Sequence, residues 1–433
     1  MTPAATGLVG IIALFVLLAL RIPVAFAMFI VGFVGIAALN GLNAATSLLA
    51  SEAFTLGSSA ELVVIPLFIL MGNIASVTGM SRRLYDAAYA VIGQLRGGLA
   101  SVNIFSSMLF GGISGSAVAD ISALGSILIP VMKERGYHSD YAVNVTVTSS
   151  IAGIVIPPSH NMIIFAVAAG GGISISKLFL AGVVPGMLMC LCLAVAAYVI
   201  AIKRNYPAEP FPGWRAVGVA SLHALPGLVT AVIIVGGVLS GIFTVTESGA
   251  FGAIYALLLT YFVYRSLDWN GFKTAVVSAV RTTAMVMVLI GFASSFAYLL
   301  ALYQVPEKLS SFMLGISEEK IAVLLMINIM LLVLGMIMDM AALILICTPI
   351  FLPIVRDLGM DPTQFGIMLL VNLGLGLCTP PVGTCLFVGC AVGRVKIEET
   401  LRTIWPFYLA ILMALLLVTY VPAVSLFLPS LLE

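Results

Sequence analysis

Two carboxylates set in long apolar stretches, Asp120 and Asp339, are the side chains of this sequence best placed to do chemistry. An ionisable group surrounded by apolar sequence is costly to bury and by default marks an ion or substrate path. Asp120 closes the run Gly111-Gly112-Ile113-Ser114-Gly115-Ser116-Ala117-Val118-Ala119-Asp120. Gly and Ser let a chain reverse inside a membrane. The unwound carbonyls and hydroxyls around Ser114, Gly115 and Ser116 can then replace the water shell of a hard cation, which prefers oxygen ligands. Asp120 either neutralises such an ion or caps the returning helix by accepting from its free N–H groups. A second run, Gly335-Met336-Ile337-Met338-Asp339, repeats the arrangement.

Each run is followed by an apolar stretch broken by a proline pair. The first reads Thr148-Ser149-Ser150-Ile151-Ala152-Gly153-Ile154-Val155-Ile156-Pro157-Pro158-Ser159-His160-Asn161. Proline removes a backbone donor and ends the first half-helix. A second half-helix starts near Ser159, His160 and Asn161, where free N–H groups and the positive dipole end suit an anion. The second stretch runs from Asn372 through Gly376, Thr379, Pro380 and Pro381 to Thr384. Its polar contributors are Asn372, Thr379 and Thr384. Two tips and two breaks meeting at one depth would form two similar cation sites around one anion pocket.

The elements that must position these residues are membrane helices. The chain has 433 residues, of which 62% are hydrophobic and 9% charged, and its mean hydropathy is +1.20. Soluble domains carry about 25% charged residues, so 19 basic and 18 acidic side chains cannot cover a water-facing surface here. A net charge of +1 offers no field for a nucleic acid or other polyanion. The six cysteines lack paired metal or redox spacing and read as apolar packing residues. Met1-Thr2-Pro3-Ala4 has no basic stretch, so no cleaved signal peptide is expected.

A crossing needs about 20 apolar residues. Spans are expected at 6–20, 22–39, 62–78, 139–169, 178–202, 225–243, 247–264, 283–303, 364–393 and 404–428, with 139–169 and 364–393 broken. Two stretches, 98–132 and 321–356, are long enough to enter and return and read as re-entrant hairpins, tolerated where they pack in protein or line a cavity. Segments 40–61, 203–224 and 304–320 read as loops, with His138 and His223 facing solvent. Residues 82–96 read as an amphipathic helix in the membrane interface. Cytoplasmic loops favour Lys and Arg. Placing Arg21, Arg82, Arg83, Arg96, Lys133, Arg135, Lys203, Arg204, Arg215, Arg265, Lys273, Arg281, Arg394, Lys396 and Arg402 inside gives one zigzag with both termini outside.

In that zigzag the two hairpins enter from opposite sides. An ungapped offset of 223 residues relates Gly112 to Gly335, Pro130 to Pro353, Gly136 to Gly359, Gly153 to Gly376, Pro157-Pro158 to Pro380-Pro381 and Gly170 to Gly393. Glycines and prolines in register mark shared backbone breaks. The expectation is an all-α polytopic membrane protein made of inverted repeats: 1–202, a cytoplasmic linker 203–224, and 225–433. Such repeats with broken helices are the build of many secondary transporters, with sites near the midplane.

Other classes fit less of the chain. Gly112-Ile113-Ser114-Gly115 spells the string of rhomboid serine proteases, with His160 cast as the base that serine chemistry needs within hydrogen-bond reach, but this leaves the second half without a purpose. Asp120 and Asp339 lack the Gly-x-Gly-Asp context of aspartyl intramembrane proteases. A channel would not need its breaks in duplicate. No Gly-rich phosphate loop occurs, so the chain itself does not hydrolyse ATP.

The first tip together with Leu124-Gly125-Ser126-Ile127-Leu128-Ile129-Pro130-Val131-Met132 resembles the large membrane subunit of TRAP transporters (tripartite ATP-independent periplasmic transporters). So do Ile156-Pro157-Pro158-Ser159, Thr246-Glu247-Ser248-Gly249-Ala250 and Thr379-Pro380-Pro381-Val382-Gly383. The resemblance implies an elevator-type transport domain of two hairpins and two broken helices in the inner membrane of a bacterium. It implies a small four-helix membrane subunit, expected as a separate polypeptide because the chain ends at Glu433, and a soluble periplasmic binding protein. It also implies sodium-driven uptake of a carboxylate: a dicarboxylate, sialic acid, or another sugar or keto acid. By the same resemblance sodium lies at Ser114, Gly115, Ser149, Gly153 and Pro157, and at Gly335, Asp339, Gly376 and Thr379. Where many relatives carry Thr-Pro-Thr-Glu, this chain has Thr244-Val245-Thr246-Glu247. A stand-alone sodium/dicarboxylate symporter of similar hairpin design is the main rival.

Overall fold

In an apolar medium each backbone N–H and C=O must be bonded within its own segment, and a helix does this. The computed structural model describes residues 3–57 and 60–431, and no strand occurs among them. The terminal residues 1–2 and 432–433, and residues 58–59 of the expected loop 40–61, lie outside the described residues. Five helices are long and apolar enough to cross a membrane, or up to eight if each bent pair counts as one span.

Both hairpins are present. The first has arms Gly98–Ser114 and Ala117–Glu134, the second Lys320–Gly335 and Met340–Asp357. Both interrupted helices are present as well. Ser139–Val155 bends by 52° into His160–Ala168, and Pro362–Leu377 is separated from Thr384–Gly393 by the segment 378–383. The bonds Pro157–Pro158 and Pro380–Pro381 are both cis. The first hairpin, its interrupted helix and Ile175–Lys203 therefore recur in type and order as the second hairpin, Pro362–Gly393 and Trp405–Tyr420.

Several loops expected from charge and polarity are helical. Leu42–Gly57 fills most of 40–61, and Val305–Ile316 fills most of 304–320. The latter carries Pro306 in its first turn, where a fixed φ and missing donor are tolerated. Trp214–Leu239 begins inside the expected linker 203–224 and carries His223. Trp269–Leu302 begins well before residue 283 and carries Lys273 and Arg281, both exposed. A charge ends an apolar window but not a helix, because long basic side chains reach water from a helical backbone. The last span, 404–428, is two helices, Trp405–Tyr420 and Pro422–Ser430, bent by 63°. Pro422 cannot donate into the preceding turn.

His138 does not simply face solvent. Its Nδ1 lies 2.8 Å from the Tyr206 hydroxyl, and Arg204 pairs with Asp140 at 3.1 Å. These contacts tie the segment after Ile175–Lys203 to the start of the first interrupted helix. The expected amphipathic segment forms Met80–Ile92, with Leu84 and Ala88 fully buried and Asp86 exposed.

Thr244 starts Val245–Leu258 with a reciprocal cap. Its Oγ1 accepts from Glu247 N at 3.2 Å, while Glu247 Oε2 accepts from Thr244 N at 2.8 Å. Thr244→Ala is expected to cost about 1 kcal/mol of stability, read as a lower unfolding temperature with transport unchanged.

Candidate functional site

The two hairpin tips are built differently at equivalent positions. In the first, Gly115 takes a left-handed φ of +62° and reverses the chain at once. Ser116, the next residue, caps the returning arm by accepting from Ala119 N at 3.5 Å. Asp120 is therefore not the cap, which corrects one of its two expected roles. It ends the short helix Ala117–Asp120, ahead of a π turn at Ile121–Gly125. It is 1% exposed, and neither carboxylate oxygen has a hydrogen-bond partner among the described residues. In the second tip Asp339 is the cap, accepting from Ala341 N at 3.1 Å. The 223-residue offset pairs Asp339 with Ser116, and pairs Asp120 with Leu343.

Each tip is fastened to an interrupted helix through glycine. A Cβ on Gly111 would lie 2.7 Å from Gly153 Cα, and one on Gly376 would lie 2.6 Å from Gly335 C. Small residues let backbones cross this closely. Gly115 faces the Pro158 carbonyl, and Gly112 faces that of Pro157. Val382 N donates to Met336 O at 3.0 Å in the second half. Ser114, Gly115, Ser116, Gly153 and Pro157 thus gather in one place, and Gly335 and Gly376 in another. Thr379 turns its Oγ1 to Leu375 O at 2.6 Å. Ser149 lies a turn before Gly153, its Oγ 3.0 Å from that of Ser107, and it donates to Asn103 Oδ1 at 3.4 Å. Asn372, at the matching position, donates to the backbone and side-chain oxygens of Asn328, both at 2.9 Å.

Between the two tips lies a cavity of about 470 Å³ lined by both polar and apolar residues. Ser114, Ser116, His160, Asn161, Asp339 and Thr384 all line it, so both tips and both second half-helices reach this cavity. Ser159 does not line it. It is fully buried, and its hydroxyl has no partner among the described residues. Asp120, Ser149, Gly153, Pro157, Gly335, Gly376 and Thr379 stand behind the wall.

The opposite wall was not anticipated. Asn73 and Ser76 come from Val64–Val77, Ser278 and Thr282 from Trp269–Leu302. Their spacings of three and four put each pair on one helix face, but polar pairs also serve helix packing. Asn73 in fact donates to Ala275 O at 3.3 Å and so joins these two helices. Gly72 passes so near the first tip that a Cβ there would be 2.7 Å from Ser114 O. Among the described residues no Lys or Arg lines the cavity, and Asp339 is its acid. No group of three or more His, Cys, Asp or Glu side chains clusters there either. A cation would be held by carbonyls, hydroxyls and Asp339, and an anion by backbone N–H groups and a co-bound cation.

The family described as the DctM component of the tripartite ATP-independent periplasmic transporters matches residues 11–424. The chain belongs to this family. It is 40% identical over 382 residues to the C4-dicarboxylate TRAP transporter large permease protein DctM of Pseudomonas aeruginosa, covering 88% of this chain and 89% of that one. It is 37% identical over 370 residues to the sialic acid TRAP transporter large permease protein SiaM of Vibrio cholerae, covering 86% of each. The isethionate TRAP transporter permease protein DctMQ of Oleidesulfovibrio alaskensis is 40% identical over 425 residues, 97% of this chain and 65% of that protein. Two solved structures share the fold. The YdaH transporter of Alcanivorax borkumensis superposes with a TM-score of 0.64 at 15% identity, over 89% of each chain. MtrF of Neisseria gonorrhoeae gives 0.57 at 13%, over 88% and 85%.

As a TRAP large permease the chain is a multi-pass membrane transporter and not an enzyme. The serine-protease string at the first tip belongs to the permease's reversal. Ser114 and His160 share the cavity wall because tip and half-helix both end there.

Proposed function

We propose that this TRAP large permease imports an organic acid together with sodium, by an elevator movement of the hairpins and interrupted helices against the other spans. The observation that carries the reading is the cavity, in which one carboxylate and several hydroxyls meet two half-helix starts with no Lys or Arg among the described residues of its lining. A free organic anion beside Asp339 would meet uncompensated like charge. A cation at each tip removes that cost. Sodium at Ser114, Gly115 and Ser116, supported by Gly153, Pro157, Ser149 and the unpaired Asp120, would order the first tip. Sodium at Gly335, Asp339, Gly376 and Thr379 would order the second. The substrate carboxylate then rests on the N–H groups at His160, Asn161 and Thr384, where the half-helix dipoles favour it.

The scaffold wall at Gly72, Asn73, Ser76, Ser278 and Thr282 supports movement. It sets these small and polar side chains beside the larger Ile69, Met285 and Val286, and the small ones interlock less than large apolar ones. Relatives named for C4-dicarboxylate, sialic acid and isethionate bracket the substrate class as small organic acids. The partners are a small membrane subunit and a periplasmic binding protein, the setting is a bacterial inner membrane, and the termini face the periplasm.

Reconstitution in liposomes tests this. With both partners and an inward sodium gradient, uptake of the binding protein's ligand is expected. Removing the binding protein, or replacing sodium by potassium, should reduce it to background. Sodium-driven uptake by the chain alone would overturn the tripartite reading in favour of a stand-alone symporter.

A further inference from the structure

We propose that a membrane phospholipid sits between the second hairpin and the scaffold, one acyl chain filling an apolar crevice and its phosphate held at Lys308. The crevice has a volume of about 790 Å³. Its walls come from Pro3–Ala19, Trp269–Leu302, Val305–Ile316 and both arms of the second hairpin. Lys308 is the one charged side chain among the described residues of its lining. Phe312, Ile329 and Val333 line it while being 66%, 54% and 49% exposed, so the crevice opens to the outside of the protein.

The first half shows what this space looks like when the chain fills it. Met80–Ile92, displaced by 223, falls on residues 303–315, nearly the extent of Val305–Ile316. In the first half that helix packs along the hairpin's first arm and buries Leu84 and Ala88 fully. In the second half the helix meets the hairpin mainly along its returning arm and leaves the crevice. Apolar voids do not hold water, and lining atoms without neighbours lose dispersion contacts. An acyl chain has no polar groups to satisfy and suits a lining whose one charged side chain among the described residues is Lys308.

Lys308 argues for a phospholipid over other apolar molecules. It is half-buried, and a lysine so placed covers apolar surface with its stem while its head keeps polar partners. Its Nζ donates to Tyr303 O at 3.3 Å. An ammonium has three donors, so two remain for a phosphate oxygen.

Native mass spectrometry of the purified full-length chain tests the proposal. Wild type is expected to retain one phospholipid more than Val333→Trp, whose indole fills the crevice. Lys308→Gln should keep the lipid but lose an about fivefold preference for phosphatidylglycerol over phosphatidylcholine, the effect of one basic group near an anionic head. Equal lipid counts in wild type and Val333→Trp would overturn the proposal and leave the crevice to a protein partner. If Val333→Trp does not fold, an unchanged lipid preference in Lys308→Gln overturns it.

Discussion

Asp339→Asn is expected to leave the permease folded and to cut sodium-dependent uptake at moderate sodium about tenfold or more. The substitution separates the two roles the structure gives this residue. As a helix cap, Asp339 accepts from Ala341 N, and Asn caps about as well as Asp. As the acid of the cavity it carries the charge that a cation needs, and Asn does not. Charge-assisted contacts are worth about 1.5–3 kcal/mol, so sodium affinity should fall about tenfold or more and uptake at moderate sodium with it. Asp339→Ala removes both roles and should add about 1 kcal/mol of destabilisation. Uptake against sodium concentration, alongside thermal unfolding of the three proteins, separates the outcomes. If Asp339→Asn keeps the wild-type sodium curve, the second cation site is wrong. If it melts like Asp339→Ala, the cap is the residue's whole role.

Gly376→Ala is expected to be nearly as damaging, for a reason of space alone. The added methyl would stand 2.6, 2.7 and 2.9 Å from the C, Cα and O of Gly335. These are backbone atoms of a hairpin arm and cannot rotate away. The arm and the interrupted helix must separate, at about 1–3 kcal/mol for overpacking, and the second tip moves with them. Uptake should fall by about tenfold or more, since each 1.4 kcal/mol of lost site geometry is a factor of ten. The reverse change, Gly335→Ala, meets Gly376 Cα only at 3.3 Å and should be milder. Gly291→Ala has nothing within 4 Å and serves as a neutral control. Equal transport and equal melting by Gly376→Ala and the control would remove the crossing from the mechanism.

Both changes fall on residues that stood out in the sequence, and other residues of the site did not. Gly376 and Asp339 were legible because chain reversal and capping are local. A Gly, Pro or Asp at a break has few other uses inside an apolar stretch. Asp120 looked like a cap for the same reason, but Ser116 directly follows the left-handed Gly115 and takes that place. Asn73, Ser76, Ser278 and Thr282 were invisible because a polar side chain on a span reads the same whether it faces a neighbouring helix or a cavity. The helices at 42–57 and 305–316 were hidden by their charges and polar ends, which say where water is and not whether the backbone is helical.

Composition alone was enough for a polytopic membrane chain, since too few charges exist to solvate its surface. Glycine and proline in 223-residue register were enough for two hairpins and two broken helices, because backbone breaks depend on the residue that makes them. The closure of the site was decided by packing. That Asp339, Ser114, His160, Asn161 and Thr384 share one cavity with four polar residues of Val64–Val77 and Trp269–Leu302 follows from where distant helices touch. No local pattern encodes a distance between segments some two hundred residues apart. The same holds for the apolar crevice at Lys308, which exists because two similar helices pack differently against two similar hairpins.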